Sequence, residues 1–179
     1  MKLIAISGSL RADSSNTAAL RAAIRLAPSH VGISIFDGIG NLPFFNPDFD
    51  NERLPPSVGA FRTLIGEADG LLISSPEYAR GVAGMMKNAL DWLVGSLEFP
   101  DKPVALINTS PRATHALAAL TLTLETMSAR IVSDACVTLA LLGAPNDEGS
   151  ILANPELAGQ LRDAISCFAD EIESLKQAG

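Results

Sequence analysis

"KLIAISGSLRADSSN", residues Lys2 to Asn16, decides how the chain is read. Leu3-Ile4-Ala5-Ile6 is apolar on both faces, as a strand buried inside a parallel sheet must be. The stretch Gly8 to Asn16 then holds three serines, one arginine, one asparagine, one glycine and no lysine. A strand that runs through such a loop into a helix offers N–H groups and hydroxyls to an anion. Ser7, Ser9, Ser14, Ser15 and Thr17 bring hydroxyls, Asn16 an amide, and Arg11 a bidentate charge suited to phosphate. The Gly-Lys-Ser/Thr ending of a Walker loop is absent, and so is G-x-G-x-x-G. The later "GIGNLP", from Gly38, lacks the third glycine and runs into Pro43, so it is set aside. The alternative for a Ser-rich turn is a helix cap with solvated serines. The position after the first strand, with Arg11 and Asn16, favours an anion site.

Outward from this stretch, short apolar runs alternate with segments of helical period. Strands are expected at Lys2–Ser7, Val31–Phe36, Gly70–Ser74, Val104–Asn108 and within Ile131–Leu142. The second, "VGISIF", alternates and suits an edge. Helices are expected over Asn16–Ala27, Ser57–Ala68 with Ser57 as N-cap, Val82–Val94, His115–Met127 and Glu156–Lys176. Such alternation predicts a doubly wound parallel sheet of five strands in three layers, as one domain over residues 1–179. Asp37–Pro56, with four prolines, is the one irregular excursion. Ligands of such sheets bind outside the carboxyl ends of the strands. The chemistry therefore belongs to the loops after the first, third and fourth strands.

Composition narrows the classes. At 47% apolar and 18% charged residues the chain is not of the disordered type. A net charge of −7, with 13 scattered Lys and Arg, argues against nucleic acid. Cys136 and Cys167 read as two buried free thiols, and with only two His a structural metal site is not expected. No apolar run reaches the ~20 residues of a membrane span. The apolar stretch near Met1 is too short for a signal peptide, so a cytoplasmic protein is expected.

The second loop carries a resemblance. "SPEYARGVAGMMKNALDW", Ser75–Trp92, together with "GSLRADSSN", resembles the NADPH-dependent FMN reductase family, with its chromate, quinone and azo-dye reductases. The family pattern G-S-L-R-x-x-S-x-N is met in the first loop. Of P-E-Y-N-x-S-x-P-G-x-L-K-N-A-x-D-W, the chain keeps Pro76, Glu77, Tyr78, Gly84, Lys87, Asn88, Ala89, Asp91 and Trp92. It departs at Ala79, Gly81 and Ala83, where the pattern has Asn, Ser and Pro.

The resemblance implies a flavodoxin-like three-layer sandwich with strand order 2-1-3-4-5. It implies that Ser9, Arg11, Ser14, Ser15, Asn16 and Thr17 hold the FMN phosphate. Pro76, Glu77, Tyr78, Ala79, Arg80 and Gly81 would lie along the flavin ring. Ser110, Pro111, Arg112 and Ala113 would close its other side. NADPH or NADH would be the co-substrate, and a quinone, free flavin, chromate or azo compound the acceptor. Such a ping-pong scheme needs no titrating catalytic side chain. A flavodoxin-like one-electron carrier or a flavin-binding sensor is the alternative. Asn88 and Asp91 are expected to cap or brace the third helix, Trp92 to pack, and His115 to cap or be solvated. Arg80 is either a solvated loop-tip residue or one that reaches a phosphate of NADPH. The apolar helix Val82–Val94 and "ACVTLALLG" point to a homodimer or homotetramer.

Overall fold

The computed structural model describes residues 1–141 and 147–178. Its strands are β1 (Lys2–Ser7), β2 (Gly32–Phe36), β3 (Gly70–Ser74), the short pair β4 (Glu77–Tyr78) and β5 (Gly81–Val82), β6 (Pro103–Asn108), β7 (Arg130–Ile131) and β8 (Val137–Thr138). Its helices are α1 (Ser15–Leu26), α2 (Pro56–Gly66), α3 (Gly84–Val94), α4 (Thr114–Thr126), α5 (Glu148–Ala153) and α6 (Pro155–Ala178). The main sheet is parallel in the order β2-β1-β3-β6, with β2 at its edge as its alternating pattern predicts. Alternate residues of β1 feed two cores. Leu3 and Ala5 pack with Leu20, Ile165 and Phe168 on one face. Ile4 and Ile6 pack with Phe61, Met86, Trp92 and Leu120 on the other. Three layers follow from that period of two.

The fifth strand departs from expectation. It is broken into β7, paired with Pro103 and Val104, and β8, paired with Ile107 and Asn108. A 3₁₀ turn at Ser133–Ala135 separates them. In the gap, the Leu106 N–H donates to Cys136 Sγ at 3.3 Å, so a side chain takes the place of a strand carbonyl. Burial pushes the Cys136 thiol up against the opposing pull of that N–H. Both cysteines are free but only partly buried, not fully buried as expected. Leu142, the last residue of the expected strand, and Gly143 of "ACVTLALLG" lie outside the described residues.

All five expected helix starts move, those of α4 and α6 by one residue to Thr114 and Pro155. Helix α1 begins one residue early at Ser15, with Ser14 as N-cap. Ser57 is not the cap of α2: the helix begins at Pro56, whose ring presets the helical φ and whose missing N–H needs no partner there. Helix α3 begins at Gly84, because Val82 belongs to the β4–β5 hairpin.

The excursion Asp37–Pro56 is fastened by α3. Asn88 Oδ1 accepts the Phe45 N–H at 2.7 Å, and Asn88 Nδ2 donates to the Pro43 carbonyl at 3.0 Å. The buried Trp92 donates its indole N–H to the same carbonyl at 2.7 Å and meets the Phe45 ring edge-on at 5.0 Å. Arg62 donates to the Trp92 carbonyl and pairs with Asp50 at 2.8 Å. Trp92 therefore packs, as expected. Asn88 braces the excursion instead of its own helix, and Asp91 pairs with Lys87 one turn away.

Asn88→Ala should destabilise the protein by about 2 kcal/mol, since a partly buried N–H loses its acceptor. Urea denaturation reads this directly; a loss below about 0.5 kcal/mol, the ordinary scatter of surface changes, would show that Asn88 does not fasten the excursion.

Candidate active-site cleft

Parallel neighbours that end at one level bring their following loops together. Residues after β1, β3 and β6 converge on a cleft of about 330 Å³. That lies within the ~300–1,000 Å³ of ordinary small-molecule sites. Ser15 and Asn16 come from the first loop, Ser75, Pro76 and Glu77 from the second, and Asn108, Thr109, Ser110, Arg112 and Ala113 from the third. Leu141 adds an apolar side.

The loops are tied to one another by their own polar groups. The Gly8 N–H donates to the Ser74 carbonyl at 2.8 Å. A Cβ on Gly8 would overlap Ser75 Oγ, so the first two loops can meet this closely only because residue 8 is glycine. Asn16 Oδ1 accepts from Ser74 Oγ at 2.9 Å and from Thr109 Oγ1 at 3.3 Å. Ser15 Oγ lies 3.2 Å from Thr109 Oγ1. One asparagine thus joins the first loop to the other two.

Within the first loop the hydroxyls have several tasks. Ser7 Oγ bonds Thr17 Oγ1 at 2.8 Å and Ser14 Oγ caps α1 through the Thr17 N–H. Ser9 is buried and its Oγ accepts the Arg11 N–H at 3.3 Å. Of the expected phosphate residues, Ser15 and Asn16 line the cleft, while Ser14 and Thr17 are engaged in the helix start. The Arg11 guanidinium is exposed and, among the described residues, has no carboxylate partner.

The second loop is a hairpin. Glu77 pairs with Val82 and Tyr78 with Gly81, so Ala79 and Arg80 form a two-residue turn. Their φ values are 50° and 60°, left-handed at both positions as a type I′ turn requires. Asn and Gly favour that conformation, whereas Ala and Arg are strained in it. Tyr78 is half exposed and Arg80 exposed at the tip. Pro76 and Glu77 line the cleft, while Tyr78, Ala79, Arg80 and Gly81 do not.

In the third loop, Asn108 Nδ2 donates to the Ser110 carbonyl at 2.8 Å, and the Ala113 N–H closes a turn onto that carbonyl at 3.1 Å. Ser110, Arg112 and Ala113 line the cleft; Pro111 does not. His115 is exposed, in keeping with the solvated reading. Met86 is core and Met85 packs against it.

Four lining residues were not anticipated. Asn108 is the last residue of an expected strand, Thr109 and Ser75 fall in the third and second loops without an assigned role, and Leu141 belongs to the last expected strand. Ser75 Oγ is buried without a hydrogen-bond partner. An orphaned hydroxyl on a cleft floor otherwise made of hydroxyls and amides fits a polyhydroxylated ligand that brings its own donors and acceptors. Pro76, Ala113 and Leu141 offer surface for an apolar ring. The set fits FMN: hydroxyls for a ribityl chain, apolar walls for the ring, and an exposed guanidinium beside the start of α1 for a phosphate. Among the described residues there is no cluster able to hold a metal ion.

The chain is similar in sequence and in fold to known proteins. An NAD(P)H-dependent FMN reductase of Pseudomonas aeruginosa is 43% identical over 112 residues, 62% of this chain and 60% of its own length. An NADPH:quinone oxidoreductase of Arabidopsis thaliana is 45% identical over 113 residues, 61% of this chain and 58% of its own length. The chain thus aligns with about three fifths of these relatives. The flavoenzyme NAD(P)H:(acceptor) oxidoreductase of Paracoccus denitrificans has a similar structure, with TM-score 0.80 and 29% identity over 97% of both chains. The NADPH-dependent FMN reductase family matches residues 1–141, and the chain belongs to that family.

Proposed function

We propose that the protein is an NAD(P)H-dependent FMN and quinone reductase, built as one FMN-binding domain over residues 1–179. The observation that carries this reading is the cleft at the carboxyl ends of β1, β3 and β6, with its floor of hydroxyls and amides and the unpartnered Ser75 Oγ. When bound, FMN supplies the redox chemistry, taking a hydride from NADPH or NADH and passing electrons to an acceptor in a second half-reaction. The chain binds and orients. Ser9, Arg11, Ser14, Ser15, Asn16 and Thr17 form the phosphate end, partly through side chains and partly by fixing the N-terminus of α1. Pro76 and Glu77 form one wall, with the rest of the hairpin behind them, and Ser110, Arg112 and Ala113 the other. Arg112 supplies positive potential where negative charge collects; the Ser110, Arg112 and Ala113 N–H groups are already bonded within the third loop. No side chain need exchange a proton, and none in the cleft is arranged as an acid–base pair. The acceptor class is a small molecule such as a quinone or free flavin, with chromate and azo compounds as further candidates.

Free Cys136 and Cys167 accord with a reducing, cytoplasmic setting. Among the described residues no helix is long and apolar enough to cross a membrane. Leu97 is 95% exposed, and Val94 at the end of α3 is 63% exposed. Apolar side chains so placed favour a homodimer or homotetramer.

The reading is tested by steady-state NADPH oxidation with FMN present and menadione as acceptor. Turnover is expected; FMN binding without NADPH oxidation would leave a one-electron carrier. Arg11→Ala should weaken FMN by about 1.5–3 kcal/mol, roughly 10- to 150-fold in Kd, and leave riboflavin nearly unaffected. Equal loss for both ligands would remove Arg11 from the phosphate site. Light scattering should give at least twice the chain mass of 18.7 kDa, and a monomer at micromolar concentration would contradict the assembly.

A further inference from the structure

Helix α4 lacks a cap of its own. Ala113 occupies its N-cap position and makes no side-chain cap bond. A helix start leaves N–H groups without intrahelical partners, and burying one unpaired is costly. One partner comes from 39 residues earlier in the chain: Glu77 Oε2 accepts the Ala116 N–H at 2.8 Å. Glu77 also lines the cleft, and it sits in the first strand of the hairpin whose turn holds two strained left-handed residues.

These facts converge on one role. The second and third loops form facing walls of the cleft, and nothing covalent fixes the distance between them. Glu77 spans it, with its backbone in the hairpin and its carboxylate on α4. We infer that Glu77 is a positioning residue that latches the hairpin to α4 and so sets the width and alignment of the flavin cleft. A carboxylate suits this end of a helix, because the aligned peptide dipoles leave it positive. A solvated loop carboxylate does not account for an oxygen committed to a backbone N–H, and the bond through Oε2 holds α4 whatever the second oxygen faces. The inference rests on the FMN reading for its consequence and on the Glu77–Ala116 bond for its geometry.

Three variants test it. Glu77→Ala removes the acceptor. Glu77→Gln keeps one in the carboxamide oxygen. Asn154→Ala removes a comparable cap from α6, where Asn154 Oδ1 accepts the Glu156 and Leu157 N–H groups at 3.0 and 3.2 Å, on a helix that does not line the cleft. Two measurements are made on each: hydrogen exchange of the Ala116 amide without ligand, and Kd for FMN by flavin fluorescence. A cap of ordinary strength corresponds to about fivefold. Glu77→Ala should speed Ala116 exchange and raise Kd by about that factor or more, whereas Glu77→Gln should restore both to within about twofold. Asn154→Ala should leave the FMN Kd unchanged. If Glu77→Ala does not fold, Glu77→Asp, one methylene too short to reach, takes its place. Unchanged FMN Kd in Glu77→Ala, or a Glu77→Gln variant as weak as Glu77→Ala, would overturn the latch. A parent protein that binds no FMN would instead sink the cofactor reading, and Ala116 exchange would then decide the latch by itself.

Discussion

The side-chain oxygen of Asn16 is the junction on which the site depends. It is buried where β1, β3 and β6 end, and it accepts hydroxyl protons from Ser74 and Thr109. Asn16 lies in the first turn of α1, Ser74 ends β3 and Thr109 follows β6, so the bonds tie three segments together. Away from water, a carbonyl or hydroxyl left unpaired would cost more than the bond it forgoes. The three loops therefore satisfy their polar groups best when they meet in this arrangement. Gly8 makes the meeting possible, since only a residue without a side chain lets Ser75 settle against the first loop.

Around that junction the structure separates groups that hold the walls from groups that face the cleft. Asn88 and Trp92 fasten the excursion 37–56 to α3 and do not line the cleft. Glu77 joins the hairpin to α4. Ser75, Ser110 and Arg112 line the cleft without joining one loop to another. Much of a motif that marks a flavin site thus acts through backbone geometry. This explains how Ala79 and Gly81 can replace the usual Asn and Ser: neither position lines the cleft. The replacement instead moves strain into the hairpin turn, where Ala79 and Arg80 hold left-handed backbone.

The sheet was legible because its strands are buried on both faces. Leu3–Ile6, Leu71–Ile73 and Val104–Ile107 are continuous apolar runs that permit little else. The fifth strand was not legible, because its two paired pieces span two residues each and Cys136 fills the gap between them. Strands that short have no period to read. The β4–β5 hairpin was hidden for the same reason, and Ala-Arg is not a pair that announces a type I′ turn. In the first loop Ser15 and Asn16, which line the cleft, were readable from their hydroxyl and amide, while Ser9 and Arg11 do not line it. The trans cap of Glu77 was not, since a contact across 39 residues leaves no local mark. Asn108 and Thr109 were left without a role because nothing local shows that the end of β6 turns its polar side chains to the cleft.

On the proposed reading, these three loops form one FMN site on which hydride chemistry takes place. The most direct measurement is an anaerobic titration of the apo-protein with FMN, followed by addition of NADPH, with the visible spectrum recorded throughout. The account predicts saturation at one FMN per chain and rapid bleaching of the bound flavin by NADPH. Failure to saturate, or a bound flavin that NADPH leaves oxidised, would contradict it.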